Sequence, residues 1–254
     1  MGTLMSLVAD PVIRGGAGAR HAAGAGAGTA GPAPALLGRP GIDLLITHHP
    51  RLPRDRTGRR LHGSGRALIV AALDTLYRVP VTGAGLVRDA HKRWSLPGYG
   101  LAVSVAHCDA YSAVAFAAGP HVGVDLQDER DRPHAMRWLG TLLGREQPAA
   151  LRDFAECEAL IKASHLTKET FAGTRLPGWR PGWRPTNVRA YQVSSTHLGA
   201  LPVPAAFRAA SGGTPASALH LALAADAAAD VRRWWQPGPD EPVLRLGAPT
   251  PEPV

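Results

Sequence analysis

Three consecutive segments between residues 101 and 127 constrain the fold most strongly, because together they indicate three successive β-strands. In the first and third segments, large apolar side chains occupy every second position, so each of these two strands has one face that can join a core. A turn at Cys108 and Asp109 separates the first two segments, which predicts an antiparallel pair. The predicted strands span residues 101–107, 111–117 and 121–127.

The third predicted strand, HVGVDLQ, ends in polar residues. One face of this strand carries Val122, Val124 and Leu126. The opposite face carries Gly123, Asp125 and Gln127. Carboxylate and amide oxygens are suited to a hard cation. An aspartate at a strand end also commonly caps a turn, so this residue alone does not identify a site.

A helix is predicted over residues 148–166, and it carries a second group of charged residues. Glu158 and Lys162 lie four residues apart, which makes them neighbours on one helix face. The glutamate is suited to a metal ion and the lysine to a phosphate group. An exposed pair with this spacing would instead contribute only about 0.3–0.5 kcal/mol to stability. The apolar arc beside the pair consists of Phe154, Cys157, Leu160 and Ile161.

An earlier amphipathic helix is predicted over residues 62–76, with Ser64 as its N-cap. Arg66 lies near the N-terminus of this helix, where the helix dipole disfavours a positive charge. A bound anion would relieve that conflict, whereas a solvated arginine would need no ligand. The apolar stripe of the helix consists of Ile69, Ala72, Leu73 and Leu76.

The remaining segments complete an α+β pattern, in which helices and antiparallel strands are segregated. Residues 1–40 are rich in glycine and alanine, which predicts a disordered tail, and the Pro-rich end from residue 241 predicts a frayed one. A repeated GWRP sequence over residues 178–185 predicts a loop. Further strands are predicted over 42–47, 188–194, 198–202 and 218–224, and a short helix over 225–235.

Charge and cysteine content restrict the functional classes. The formal net charge of +8 fits either an anionic partner or a solvated arginine-rich surface. The two cysteines, Cys108 and Cys157, have no spacing typical of a disulfide framework or a zinc site, which fits a reduced, cytoplasmic compartment. We expect no membrane association, because no apolar run reaches the ~20 residues of a spanning helix. We also expect no signal peptide, because the N-terminus has no basic region followed by a long apolar core.

Four segments of the chain resemble motifs of the 4′-phosphopantetheinyl transferases, and they follow one another in the same sequence order as in that family. The run GVDLQ resembles the family's Gly-Ile/Val-Asp-Ile/Val-Glu motif, and EALIKA resembles part of its Trp-x-x-Lys-Glu-Ala/Ser-x-x-Lys helix. The run SVAH resembles a family strand that ends in Ser-His, and DAHKRWSLP resembles the Asp-x-x-Gly-Lys/Arg-Pro-x-Leu-Pro segment. These runs occupy residues 123–127, 158–163, 104–107 and 89–97.

The length resembles that of the larger, surfactin-synthetase-activating type, which is monomeric. The resemblance implies a pseudo-dimer of two similar α+β halves, here residues 41–127 and 128–240, with coenzyme A in the cleft between them. It also implies Mg²⁺-dependent transfer of phosphopantetheine from coenzyme A to a serine of an acyl or peptidyl carrier protein. The by-product would be adenosine 3′,5′-bisphosphate.

The resemblance implies a role for each site residue. Asp125 and Glu158 would bind Mg²⁺, with Gln127 as a weak third ligand. Glu158 would also serve as base for the carrier serine, and Lys162 would neutralise the transferred phosphate or protonate the leaving group. Coenzyme A phosphates would be bound by Lys162, His107, Arg93, Arg66 and Arg60.

Departures from the motifs leave other functions open. Gln127 stands in place of a carboxylate and Cys157 in place of a lysine, so a catalytically impaired homologue that binds coenzyme A or a carrier is the alternative. Other departures from the family's residues are Lys92, Trp94, Ala106 and Phe154. A nucleic-acid-binding protein is less consistent with the sequence, because no helix is dense in arginine and lysine.

Overall fold

The computed structural model describes residues 40–48, 63–79, 85–108, 111–188, 190–199, 201, 218–238 and 242–247. Within these ranges the chain forms three α-helices and two β-sheets, which confirms the α+β class. Arg60 and nearly all of the N-terminal tail lie outside the described residues, as does most of the segment from residue 241 onward.

The first sheet contains seven strands of the described chain, in the order β11-β10-β1-β5-β4-β3-β2. Its long central strands are antiparallel, and Cys108 pairs with Tyr111 where β4 leads into β5, as the alternation predicted. Only the β1 and β10 pair is parallel among the described strands. The strands are β1 (Ile42–His48), β2 (Val87–Arg88), β3 (Trp94–Leu96), β4 (Leu101–Cys108), β5 (Tyr111–Ala118), β10 (Val231–Gln236) and β11 (Leu244–Leu246).

The second sheet contains four described strands in the order β6-β9-β8-β7, and all its pairs are antiparallel. These are β6 (Val122–Asp128), β7 (Arg184–Pro185), β8 (Gln192–His197) and β9 (Leu219–Ala225). The helices are α1 (Gly63–Tyr77), α2 (Pro133–Leu142) and α3 (Leu151–Ala163). Among the described strands, β6, which carries the GVDLQ run, lies at one edge of this sheet.

The described elements pack as four layers, in which the two sheets face each other between α1 on one side and α3 with α2 on the other. Val122, Val124 and Leu126 lie in the core between the sheets, which confirms the predicted alternation of β6. Helix α1 packs on the outer face of the first sheet. Helix α3 packs on the outer face of the second sheet, the face that bears Asp125. The alternation of β6 therefore directs its polar residues toward α3.

The prediction of a helix over residues 225–235 is wrong. Residue 225 ends β9, and the last five residues of the predicted segment belong to β10, which pairs in parallel with β1. The alanine-rich sequence favours a helix locally, but long-range pairing and burial override that preference. Trp235 is fully buried and stacks on Tyr111, whereas Trp234 contacts Arg245.

Smaller differences concern the limits of elements. Helix α1 begins at Gly63, so Ser64 lies in its first turn rather than at the cap. Strand β8 begins at Gln192, four residues later than predicted. Residues 198, 199 and 201 are not in a strand, and the rest of the segment predicted over 198–202 lies outside the described residues.

The sheets also do not divide the chain after residue 127. Strand β6 belongs to the second sheet, while the late strands β10 and β11 belong to the first. The segment expected to fray from residue 241 contains β11, which pairs with β10. None of the helices in the described ranges is long and apolar enough to cross a membrane.

Candidate functional site

Helix α3 approaches strand β6 so closely that only glycine fits at position 123. A Cβ atom placed there would lie 1.9 Å from the carbonyl oxygen of Ala159 and 2.8 Å from the backbone nitrogen of Ala163. The glycine of the GVDLQ run is therefore explained by close contact between a helix and a sheet. This contact fixes where the side chains of α3 meet those of β6.

Lys162 meets Asp125 at this contact. Its ammonium donates to Asp125 Oδ1 at 2.7 Å and to the carbonyl oxygen of Val124 at 2.9 Å. The side chain of Asp125 is 7% exposed and that of Lys162 is 29% exposed. A lysine ammonium has three N–H donors, and within the described chain the third has no acceptor.

Gln127 completes the shell around Asp125. Its side-chain amide nitrogen donates to Asp125 Oδ2 at 2.6 Å, so both carboxylate oxygens accept hydrogen bonds from the protein. The side-chain carbonyl oxygen of Gln127 is a chemically suitable ligand for a cation. The structure thus brings together Asp125, Gln127 and Lys162, three of the residues predicted from sequence.

Glu158 lies one helical turn before Lys162 on α3. It forms an ion pair with Lys168, with 3.3 Å between Glu158 Oε1 and Lys168 Nζ. The side chain of Glu158 is 23% exposed and that of Lys168 is 65% exposed. An ion pair as exposed as this one is weak, so the carboxylate of Glu158 can exchange its partner at small cost.

The segment before β3 joins the site through Arg93. The Arg93 guanidinium donates to the carbonyl oxygen of Ala163, at the end of α3, at 3.3 Å and pairs with Asp89 at 2.7 Å. It also donates to His121 Nδ1 at 3.0 Å. Burial, together with this guanidinium, lowers the pKa of His121 below its ordinary value. Arg93 thereby connects the DAHKRWSLP run to the helix that carries Lys162.

Asp89 organises the turn that presents Arg93. Its Oδ1 accepts hydrogen bonds from the backbone N–H groups of His91 and Arg93, both at 2.9 Å. Lys92 in this turn has a φ of 65°, a left-handed conformation that favours glycine. This is the position at which the transferase motif has glycine, so the turn has a conformation that suits the motif although its residue differs.

Strand β4 contacts the site through Ser104. The hydroxyl oxygen of Ser104 accepts a hydrogen bond from the backbone N–H of Val124, the residue before Asp125, at 3.0 Å. Strand β6 lies at one edge of the described sheet, so this N–H points away from β9 and needs a partner outside its own sheet. Ser104 supplies that partner and ties the first sheet to the second.

His107 and Arg66 lie on the other side of the first sheet, near the start of α1. A Cβ atom on Gly65 would be 4.0 Å from His107 Nε2, so the imidazole lies beside the first turn of α1. His107 Nδ1 shares a hydrogen bond with the Ser112 hydroxyl at 2.7 Å. The guanidinium of Arg66 lies 5.5 Å from the ring centroid of Trp94. Trp94 follows Arg93 directly in the sequence. The segment that contains both residues therefore connects the group of Arg66 and His107 to the group of Asp125 and Lys162.

Two charged residues that the sequence did not single out anchor α3. Glu156 and Arg184 are each 1% exposed and form a buried ion pair, and the hydroxyl of Ser195 also donates to Glu156. Arg184 belongs to the second GWRP copy, while Arg180 in the first copy is exposed. A buried arginine needs an acidic partner, but the sequence does not show which arginine is buried.

Cys157 faces the apolar core rather than the solvent. It is 4% exposed and packs in the apolar cluster that α3 forms with α2 and the second sheet. Burial raises the pKa of its thiol, and nearby carboxylates add to the effect. A cysteine at this position therefore gives α3 an additional core contact.

Asp125 and Gln127 offer oxygen ligands whose chemistry fits Mg²⁺. The carboxylate of Glu158 is a third hard oxygen ligand, but it pairs with Lys168, and in the described ranges no hydrogen bond or ion pair joins it to Asp125 or Gln127. A carboxylate oxygen has two lone pairs, so Asp125 Oδ1 can accept from Lys162 and also bind an ion. The fit requires Glu158 to release Lys168, whose side chain is 65% exposed.

Comparisons with known proteins add no family assignment. No protein-family model matches the chain, and a search of curated proteins found no match.

Proposed function

We propose that the protein is a 4′-phosphopantetheinyl transferase that modifies an acyl or peptidyl carrier protein. One observation carries this proposal: the four motif-like segments contact one another in a continuous series of hydrogen bonds. Ser104 binds the backbone of Val124, Asp125 binds Lys162, and Arg93 binds the carbonyl of Ala163. This convergence supports the proposal, because the residues of the four segments must lie close together to act on one substrate.

The reaction joins a serine of the carrier to the β-phosphorus of coenzyme A. The serine oxygen forms the new phosphorus–oxygen bond, and the bond from that phosphorus to the bridging oxygen breaks. The leaving group is adenosine 3′,5′-bisphosphate, and the serine proton passes to a base. Phosphoryl transfer of this kind depends chiefly on positioning and on stabilisation of phosphate charge.

Lys162 has the position and the donors to stabilise that charge. Its partly exposed ammonium keeps a third N–H without a protein acceptor in the described ranges. The bonds to Asp125 and Val124 orient the ammonium before substrate binds, which reduces the entropy lost on binding. Lys162 would bind a phosphate oxygen and supply a proton to the leaving oxygen.

Asp125 and Glu158 would bind Mg²⁺, with the amide oxygen of Gln127 as a weaker ligand. When bound, Mg²⁺ supplies positive charge next to the pyrophosphate and orients its oxygens. Glu158 would also accept the serine proton, directly or through water. Its weak, exposed pairing with Lys168 leaves it able to take either role.

Coenzyme A would extend from this centre toward the start of α1. Arg93 would bind its pyrophosphate, while His107 and Arg66 would bind the 3′-phosphate as hydrogen-bond donors. The proposal includes a pseudo-dimer whose halves are built on the two sheets rather than divided after residue 127, with coenzyme A between them. The protein would act as a monomer in the cytoplasm. The net charge of +8 would favour an acidic carrier surface.

Intact-protein mass spectrometry tests this proposal. The protein is incubated with Mg²⁺, coenzyme A and a panel of apo carriers from fatty-acid, polyketide and nonribosomal peptide synthesis. We expect the mass of at least one carrier to rise by one phosphopantetheine group. If no carrier in a broad panel gains this mass, the proposal is wrong.

The second candidate is a homologue that binds coenzyme A but does not transfer its phosphopantetheine. Gln127 favours this candidate, because a neutral amide is a poorer Mg²⁺ ligand than a carboxylate. Calorimetry that detects coenzyme A binding, together with unchanged carrier masses, would support it. Restoration of transfer by Gln127→Glu would identify the missing carboxylate as the cause.

A further inference from the structure

Two histidines and a glutamate lie close together at one end of the second sheet. His220 on β9 pairs with His197 on β8, and their ring centroids are 4.9 Å apart. Glu129 directly follows β6, and its Oε1 lies 3.5 Å from His197 Nε2. One potential ligand atom from each residue lies within 4.8 Å of the other two. Three ligands therefore converge from three neighbouring parts of the chain.

The spacing of these atoms is suited to a small divalent ion. Ligand atoms about 2.1 Å from a tetrahedral metal lie about 3.4 Å apart, by the geometry of zinc sites. The separation between Glu129 and His197 already has this value, and the widest separation exceeds it by less than 1.5 Å. The side chain of Glu129 is 59% exposed and that of His197 is 31% exposed, so both can make the remaining adjustment.

The ligand chemistry differs from that of the site around Asp125. Imidazole nitrogens prefer borderline transition metals such as Zn²⁺, whereas Mg²⁺ prefers oxygen ligands alone. Gln127 lies between the two sites, because it pairs with His220 across the strands and donates to Asp125. The two sites are thus neighbours with no ligand in common.

We propose that Glu129, His197 and His220 form a binding site for one Zn²⁺-like transition-metal ion. Three protein ligands leave a fourth tetrahedral position open to water or to an anionic ligand. The site is independent of the proposed transfer reaction, since none of the three residues takes part in it. Bound metal would connect the end of β6 to β8 and β9.

Calorimetric titration of the full chain with Zn²⁺ tests the site, after treatment with a chelator and in excess Mg²⁺. Coenzyme A and carrier are omitted, so failure of the transferase proposal would not affect the result. We expect one Zn²⁺ per chain. Glu129→Gln, His197→Gln and His220→Gln should each weaken binding by more than about tenfold, the smallest loss typical even of outer-shell partners.

His134→Gln is the matched control, because His134 is an exposed histidine on α2. Its Zn²⁺ affinity should equal that of the wild type. Titration with Co²⁺ gives a second readout, since a tetrahedral site produces visible absorption that the three variants should lose. Glu129→Gln changes an exposed side chain and keeps the test valid if a histidine variant does not fold.

Two results would overturn the proposal. One is the absence of stoichiometric Zn²⁺ binding to the folded wild-type chain. The other is binding that the three variants leave unchanged, in which case Glu129 and His197 form only an ion pair.

Discussion

The ammonium of Lys162 donates a hydrogen bond to Asp125 Oδ1 at 2.7 Å and so joins helix α3 to strand β6. The two residues are 37 positions apart in sequence, and each belongs to a separate motif-like segment. Gly123 permits the close contact that brings them together. This bond therefore helps to hold α3 against the second sheet, and it also joins two residues of the proposed transfer site.

A double-mutant cycle should measure the strength of this bond. We expect Lys162→Met and Asp125→Asn each to reduce the free energy of unfolding by about 1.5–3 kcal/mol, the range for hydrogen bonds to charged groups. The double variant should lose less than the sum, with a coupling energy above about 0.5 kcal/mol. Urea unfolding provides the measurement. Strict additivity of the two losses would mean that the pair does not interact in solution.

Gly123→Ala should separate α3 from β6. The added methyl group would overlap the carbonyl oxygen of Ala159, and backbone cannot move aside as a flexible side chain can. We expect a loss of about 3 kcal/mol in unfolding free energy, at the upper end for an overpacked core. Gly178→Ala is the control, because a Cβ atom there meets nothing within 4 Å. Equal stabilities of the two variants would contradict the close approach.

The two copies of the GWRP repeat should respond differently to the same substitution. Arg184→Met leaves Glu156 buried without its cation, which we expect to cost about 3–5 kcal/mol in unfolding free energy. Arg180→Met changes an exposed side chain and should stay within about 0.5 kcal/mol of the wild type. Thermal and urea unfolding would check both values. A similar small effect for both variants would exclude a buried Glu156–Arg184 pair.

Stability should fall on acidification because of His121. Its pKa in the folded protein lies below the ordinary 6.5, since burial and Arg93 disfavour the imidazolium. The unfolded chain therefore binds this proton at higher pH, and unfolding free energy decreases as pH falls from about 6.5 through the folded pKa. His121→Gln should lack this component when urea unfolding is followed across the range. An NMR titration giving His121 an ordinary or raised pKa would refute the explanation.

The sequence predicted the parts of the fold that depend on local alternation and periodicity. Strands β4 and β6 alternate large apolar residues with small or polar ones, and helices α1 and α3 carry apolar stripes, so the sequence indicates these elements. The face of β6 that bears Asp125 followed from the same alternation. Its approach to α3 was anticipated only through the resemblance to the transferase motifs.

Features that depend on distant partners could not be predicted. The residues that precede strand β10 are rich in alanine, which favours a helix. Strand β10 forms instead because Ile42 and its neighbours in β1, near the other end of the chain, pair with it. The burial of Arg184 depends on Glu156, 28 residues away. His197 and His220 are likewise adjacent only because β8 and β9 pair. None of these three relationships lies within a short window of the sequence.

Mass spectrometry of an apo carrier treated with matched variants tests whether Asp125, Glu158 and Lys162 form the centre that transfers phosphopantetheine. In the presence of Mg²⁺ and coenzyme A, wild type and His134→Gln should add one phosphopantetheine group to the carrier. Asp125→Ala and Glu158→Gln should add none while their circular dichroism remains that of the folded wild type. Transfer at near wild-type rate by either folded variant would contradict the account.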